Sequence, residues 1–179
     1  MSKEEAELIN RCKQGDIKSY ELLYNRYSRA MYHTCLRMVV NEADAEDILQ
    51  EAFMEAFINL NRLKNIDAFA GWLKRTVINK ALNHLKRNRT TWLAVDETEL
   101  DNLPEEERID EDIFKEKVEA TTAALNLLPD KYRVVINLHV FENMSFEEIA
   151  VALEIPSSTV RSQYLRGRQK ILNSIAHKI

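Results

Sequence analysis

The sequence is almost devoid of residues that turn a chain sharply: its 179 residues include three glycines, Gly15, Gly71 and Gly167, and three prolines, Pro104, Pro129 and Pro156. The reversals of a β-sheet draw on glycine and proline for backbone angles that other residues reach with difficulty. A chain so poor in them is committed to long helices, whose backbone groups are satisfied locally. Hydrophobic residues make up 45% of the chain, enough for a core and too many for wholesale disorder. An all-α fold is expected.

Caps and apolar periods divide the chain. Ser2 with Glu5 reads as a capping box and Gly15 as a stop, giving a first helix of about a dozen residues. Asp16 caps a second, with Tyr20, Leu23, Tyr24, Tyr27 and Met31 at three- and four-residue steps as its core stripe. Asn41 and Asp44 open a third helix that places Leu49, Phe53, Ala56 and Leu60 on one side and Asp44, Asp47, Glu51 and Glu55 on another. Asn65 or Asp67 caps a fourth, running to about Lys86 and burying Phe69, Trp72, Leu73, Thr76, Val77 and Leu82. The third helix region, 41 to 57, has six acids and no base, whereas 72 to 90 carries Lys74, Arg75, Lys80, Lys86, Arg87 and Arg89 and no acid. Opposite charge on adjacent helices points to two different partners.

From about 91 to 115 the period fails. DETELDNLPEEERIDED (96–112) is acidic, contains Pro104 and reads as a mobile linker. The chain thus divides into a domain over 1–90, an acidic linker over 91–115 and a second domain over 116–179. After the linker a helix through Val118, Ala120 and Leu125 ends before Pro129, and Asp130 caps the next, with Val134, Val135, Leu138 and Phe141. Glu142 to Met144 make a turn. Ser145 with Glu148 is a second capping box, and the short helix it opens is followed by a turn through Glu154 to Pro156 and a last helix capped by Ser157.

That is the pattern of a helix-turn-helix. The chain's net charge is −4, yet after Glu154 no acid follows, only Arg161, Arg166, Arg168, Lys170 and Lys178. Charge of one sign on the last helix selects an anionic partner, and nucleic acid fits. Ser158, Thr159, Arg161, Ser162 and Gln163 occupy the first turns, the part of such a helix that meets base edges in the major groove. Arg166, Arg168 and Lys170 lie further along, toward phosphates. Glu154 stands at a turn position that would suit glycine and, if it is left-handed, costs about 1 kcal/mol there, and Gly167 in mid-helix is expected to leave room that Tyr164, one turn earlier, fills.

Other classes lack support. The N-terminal MSKEEAELINRC is acidic where a secretion signal is basic and then apolar, and no apolar run approaches membrane-spanning length, so no membrane insertion and a cytoplasmic location are expected. Cys12 and Cys35 stand apart, which fits a reducing compartment, and His33 with Cys35 reads as two small side chains inside a helical core, not as a metal pair. There is no phosphate-cradling glycine loop and no plausible nucleophile, so no cofactor, no metal and no catalysis are expected.

The segments DAEDILQEAFMEAF (44–57), FAGWLKRTVINKALNHLKR (69–87), LPDKYRVVINLHVFENMSFEEIAVAL (128–153) and IPSSTVRSQYLRGRQKI (155–171) resemble bacterial RNA polymerase sigma factors of the extracytoplasmic-function type, in order and at matching spacing. The resemblance implies a helical bundle like sigma region 2, a helix-turn-helix domain like sigma region 4, and three partners: core RNA polymerase, promoter DNA and an anti-sigma factor. It places Asp44, Asp47, Gln50, Glu51 and Phe53 on the polymerase-docking face. It makes Arg75, Asn79, Lys80, Asn83, Lys86 and Arg87 contacts to the minus-ten element, Asn83 standing where family members often carry aspartate. It makes the loop from Asn61 to Asp67 the place where a flipped base is captured, with Asn61, Arg62, Lys64 and Asn65 as its polar groups. Ser157, Ser158, Thr159, Arg161, Ser162, Gln163, Arg166 and Arg168 fall on the minus-thirty-five reader. The acidic linker either enters a polymerase channel or is a solubilising spacer. The reading is a transcription initiation factor. The rivals are a stand-alone helix-turn-helix regulator with an N-terminal sensing or dimerisation domain, and a helical adaptor that touches no DNA.

Overall fold

The computed structural model describes residues 2–87 and 118–176, and the 91–115 linker lies outside them. The chain separates into two compact units, Met1–Asn88 and Arg89–Ile179. Every regular element among the described residues is helical.

The first unit is built from α1 (Lys3–Lys13), α2 (Ile17–Val39), α3 (Glu42–Ile58) and α4 (Phe69–Arg87). α2, α3 and α4 all pack on one another, and α1 lies against α2. The caps act largely as expected. Ser2, Asp16 and Asn41 each accept a backbone N–H of the first turn, at 3.2, 3.2 and 3.0 Å. The first capping box is only half made, because the Glu5 carboxylate takes the Tyr27 hydroxyl instead of turning back to its own helix start. The tyrosine stripe of α2 meets aromatic rings from the other helices: Tyr20 on Phe57 at 4.8 Å, Tyr24 on Phe53 at 4.7 Å and Tyr27 on Phe69 at 5.4 Å. Such offset contacts add to the apolar burial of Leu23, Met38, Leu49, Leu73 and Val77. Cys12 and Cys35 are buried in this unit, and burial pushes their thiols up to about 11 and about 12, while His33 is exposed.

The second unit comprises α5 (Val118–Asn126), α6 (Asp130–Ile136), α7 (Phe146–Leu153) and α8 (Ser157–Ala176). Three local details differ from the sequence reading. Asp130 is the first residue of α6, not its cap, and its carboxylate is spent on Arg133. α6 does not end at Ile136 but widens into a π-turn over Asn137–Phe141, which periodicity alone does not reveal. α8 begins at Ser157 itself, so Pro156, not Ser157, stands at the cap. The second capping box is complete, Ser145 Oγ accepting from Glu148 N at 3.2 Å and Glu148 Oε2 from Ser145 N at 2.8 Å. Glu154 is left-handed at φ 60°, ψ 40°.

Buried Ala124, Leu125, Leu128, Tyr132, Ile136 and Ile171 form the core, with Tyr164 and Ile175 packed on its edge. Arg133 is 6% exposed and is satisfied by the Leu128 carbonyl at 2.7 Å and by Asp130. Gly167 lets α8 approach α6. A Cβ there would sit 2.7 Å from Ile136 Cδ1 and 3.1 Å from Tyr132 Cβ, so the room left by the glycine is filled by α6 and not by Tyr164. Gly167→Ala gains up to ~1 kcal/mol of helix propensity but overpacks the seam by about 1–3 kcal/mol. A lower melting temperature for the second unit is the expected outcome in a thermal scan by circular dichroism; a higher one would place the seam elsewhere.

Candidate polymerase and nucleic-acid interfaces

The outward side of α3 is a stripe at helical spacing: Asp47, Gln50, Glu51, Met54 and Ile58 are all exposed. Met54 and Ile58 are 64% and 74% exposed, large apolar side chains set among acids and amide. Asp44, at the start of the helix, is half-buried and pairs with His84 of α4 at 3.3 Å. Phe53 does not belong to this face. It is 2% exposed and wedged between Tyr24 at 4.7 Å and Phe57 at 5.6 Å. The sequence shows phenylalanines beside acids; which of them points inward depends on where α2 lies.

Along α4, Arg75, Asn79, Asn83 and Arg87 recur at four-residue steps and are exposed, while Lys80 and Lys86 are half-buried. Lys80 reaches back to α3, its Nζ lying 3.0 Å from Glu55 Oε2 and 3.3 Å from Glu51 Oε2. The hydrogen bond to Glu55 holds its amine above the ordinary lysine range, against some desolvation, with Glu51 adding to the effect. Acidic and basic helices are therefore not wholly separate surfaces, because part of their charge is spent on one another. At these partly exposed positions each pair contributes at most about 1 kcal/mol.

The loop ahead of α4 is two short 3-10 turns, Leu60–Arg62 and Ile66–Ala68. Lys13 of α1 donates to the Leu63 carbonyl at 2.8 Å and ties the loop down. Asn61, Arg62, Lys64 and Asn65 are exposed together there, although the side-chain amide oxygen of Asn65 accepts from Asp67 N at 3.0 Å. Trp72 is half-buried and tilted on Phe69 at 6.2 Å, as a core side chain would be.

In the helix-turn-helix, Ile155 N returns to the Ala150 carbonyl at 3.1 Å and fixes the turn. Ser157, Ser158 and Arg161 are exposed, and Thr159, Ser162 and Arg168 are half-exposed. Ser162 Oγ donates to the Ser158 carbonyl at 3.0 Å. Gln163 and Arg166 face the other way. They are 5% and 9% exposed, within the packed side of α8 beside Val160 and Gly167, and so stand apart from the outward set in which the sequence reading placed them. Their polar chemistry disguised an inward position that helical spacing from Val160 could have indicated.

A group of rings whose members lie far apart in the sequence meets on the outer side of this unit. His139 from the π-turn stacks on Phe146 at 4.4 Å and meets Tyr164 edge-on at 4.9 Å, and Phe146 and Tyr164 are 5.3 Å apart. Arg161 lies over Phe146 at 5.1 Å and Arg168 over Tyr164 at 5.5 Å. A shallow cavity of about 440 Å³ opens beside it, lined by His139, Met144, Ser145, Glu148 and Tyr164 among others.

Two helical units, the second carrying a helix-turn-helix whose last helix bears charge of one sign, define a DNA-binding transcription factor. Residues 23–91 match the family model of sigma-70 region 2 and residues 119–171 that of sigma-70 region 4. The RNA polymerase sigma-H factor of Pseudomonas aeruginosa is 30% identical over 177 residues, 94% of this chain and 92% of that protein. The ECF RNA polymerase sigma-E factor of Escherichia coli K12 is 30% identical over 181 residues, with the same shares of each chain. The chain belongs to the sigma-70 family, in its extracytoplasmic-function group, and is a transcription initiation factor. Among solved structures, CnrH in complex with the cytosolic domain of CnrY superposes with a TM-score of 0.56 at 20% identity, covering 98% of this chain and 99% of that one. The sigma factor RpoE of Bartonella quintana, in complex with the anti-sigma factor NepR, gives 0.56 at 16% identity over 89% and 98%. These two share the fold. A match in both units, in order, disfavours the stand-alone regulator.

Phe53 and its neighbours on the stripe separate core from surface experimentally. Phe53→Ala should destabilise the first unit by about 3–5 kcal/mol, whereas Asp47→Ala should change it by less than about 0.5 kcal/mol. Thermal or urea unfolding of each variant measures the difference.

Proposed function

We propose that the chain binds core RNA polymerase through the outward stripe of α3, opens the minus-ten element with α4 and its preceding loop, and reads the minus-thirty-five element with α8. The observation that carries this reading is that two outward-facing cationic helix faces lie in two separate compact units. Each face is small and, alone, a weak binder of duplex. Held at a fixed distance by a larger machine, the two gain effective concentration and act as one site. The chain itself carries no catalytic chemistry: it orients the promoter for the polymerase, in the cytoplasm where the nucleoid is. No helix among the described residues is long and apolar enough to cross a membrane.

On α3, Met54 and Ile58 are the apolar anchors and Asp47, Gln50 and Glu51 the polar rim, the usual arrangement of a specific interface. On α4, the amides of Asn79 and Asn83 are placed for bases and Arg75 and Arg87 for phosphates. The tied-down loop of Asn61, Arg62, Lys64 and Asn65 is the receptor for an extruded base, whose unstacking takes a few kcal/mol and is easiest at weakly stacked steps. On α8, Ser158, Thr159, Arg161 and Ser162 face the major groove and Arg168 the backbone, while Gln163 and Arg166 hold the helix in place. An anti-sigma protein that covers these same surfaces is the partner expected in the resting state, a reading supported by the structure of RpoE with its anti-sigma factor.

Met54→Asp should weaken core-polymerase binding at least about tenfold with an unchanged melting temperature, measured by pull-down and titration. Arg161→Glu should abolish minus-thirty-five-dependent run-off transcription and leave polymerase binding intact. A chain that ignores core polymerase altogether would end the proposal.

A further inference from the structure

We propose that Phe146 and Tyr164 are positioning residues, an aromatic platform that presents Arg161 and Arg168 to duplex DNA in a pre-set orientation; this rests on the reading of α8 as the minus-thirty-five reader. Arg161, Tyr164 and Arg168 recur at steps of three and four along one side of α8. The Arg161 guanidinium lies over the Phe146 ring at 5.1 Å and the Arg168 guanidinium over the Tyr164 ring at 5.5 Å. A cation–π contact engages the charge of a guanidinium and spends none of the N–H hydrogen bonds that pair with guanine or phosphate.

The platform is itself held from three elements. Phe146 is the first residue of α7, directly after Ser145 of the capping box. His139 stacks behind it at 4.4 Å with 25° between the planes, and its Nδ1 is 2.8 Å from the Met144 carbonyl, which fixes the ring. Tyr164 closes the group at 4.9 Å from His139 and 5.3 Å from Phe146. Phe146 and Tyr164 are both half-buried, with surface left for a cation to cover. A free arginine loses much of its rotamer freedom when it docks on a base; one already stacked has lost part of it beforehand, so the binding is tighter and its geometry more selective. Phe146 makes no demand on DNA itself. It acts through Arg161.

The test uses the full chain bound to core polymerase and a promoter duplex selected by that complex from a randomised pool. Discrimination is the ratio of binding to the selected duplex over one with a scrambled minus-thirty-five element. Phe146→Leu should lower discrimination by about two- to fivefold, the range of an exposed cation–π contact, and Phe146→Tyr should retain it. In an Arg161→Ala background, Phe146→Leu should cause no further loss. The slope of affinity against salt should be unchanged by Phe146→Leu, because no phosphate contact is removed. Full discrimination by Phe146→Leu, or an equal loss with Arg161 already absent, overturns the platform. Should Phe146→Leu fail to fold, the parent chain still decides: the Arg161 Cδ protons should show an upfield ring-current shift in NMR, and unshifted protons overturn the proposal. Arg161→Ala with undiminished discrimination would instead remove the underlying reading of α8.

Discussion

Close approach of α3 to two neighbours at once is the constraint on which the first unit depends. Ala45, Ala52 and Ala56 are fully buried and small enough for α2 and α4 to come near on either side, while Leu49 and Phe53 fill the gap between them. Once that face is inside, the 3.6-residue period leaves Asp47, Gln50, Glu51, Met54 and Ile58 no position but the outside. The outward stripe is thus the geometric complement of the core. The same rule governs α8, where Val160, Gln163, Gly167 and Ile171 turn inward and Arg161 and Ser158 turn out. Gly167 has the role there that the alanines have in α3, allowing a seam too tight for a methyl group.

Charge follows from this packing instead of directing it. Lys80 and His84 sit where α4 crosses the acidic start and middle of α3, and they pair with Glu51, Glu55 and Asp44 across the seam. These pairs are partly exposed and energetically minor. Their effect is on the surface charge of α4, because a lysine held by two carboxylates adds less to it than composition alone suggests. Exposed arginines stand on the outer stripe of α4 (Arg75, Arg87) and on α8 (Arg161), in the two separate units.

Much of the fold was legible in the sequence because helix caps are local. Asp16, Asn41, Ser145 and Glu148 cap as their spacing implies, and Glu154 takes the left-handed conformation at the turn position that would suit glycine. The departures are also local but depend on competition. Glu5 abandons its box for Tyr27, and Asp130 gives up its capping place to hold the buried Arg133. The π-turn at Asn137–Phe141, which swings His139 toward Phe146 and Tyr164, has no signature in hydrophobic period.

What the sequence by itself determined was the order of the helices among the described residues and the helix-turn-helix with its one-signed last helix, since each rests on caps and apolar periods a few positions apart, and the division into two units, since an acidic stretch without an apolar period interrupts them. What only the tertiary structure decided was which side chains those helices show. Phe53, Gln163 and Arg166 are inside although their company is polar, and Lys80 is bound to residues 25 and 29 positions away. A period defines a face, but which face is buried, and whose ring lies under an arginine, depends on neighbours that are distant in the chain and are brought near only by packing.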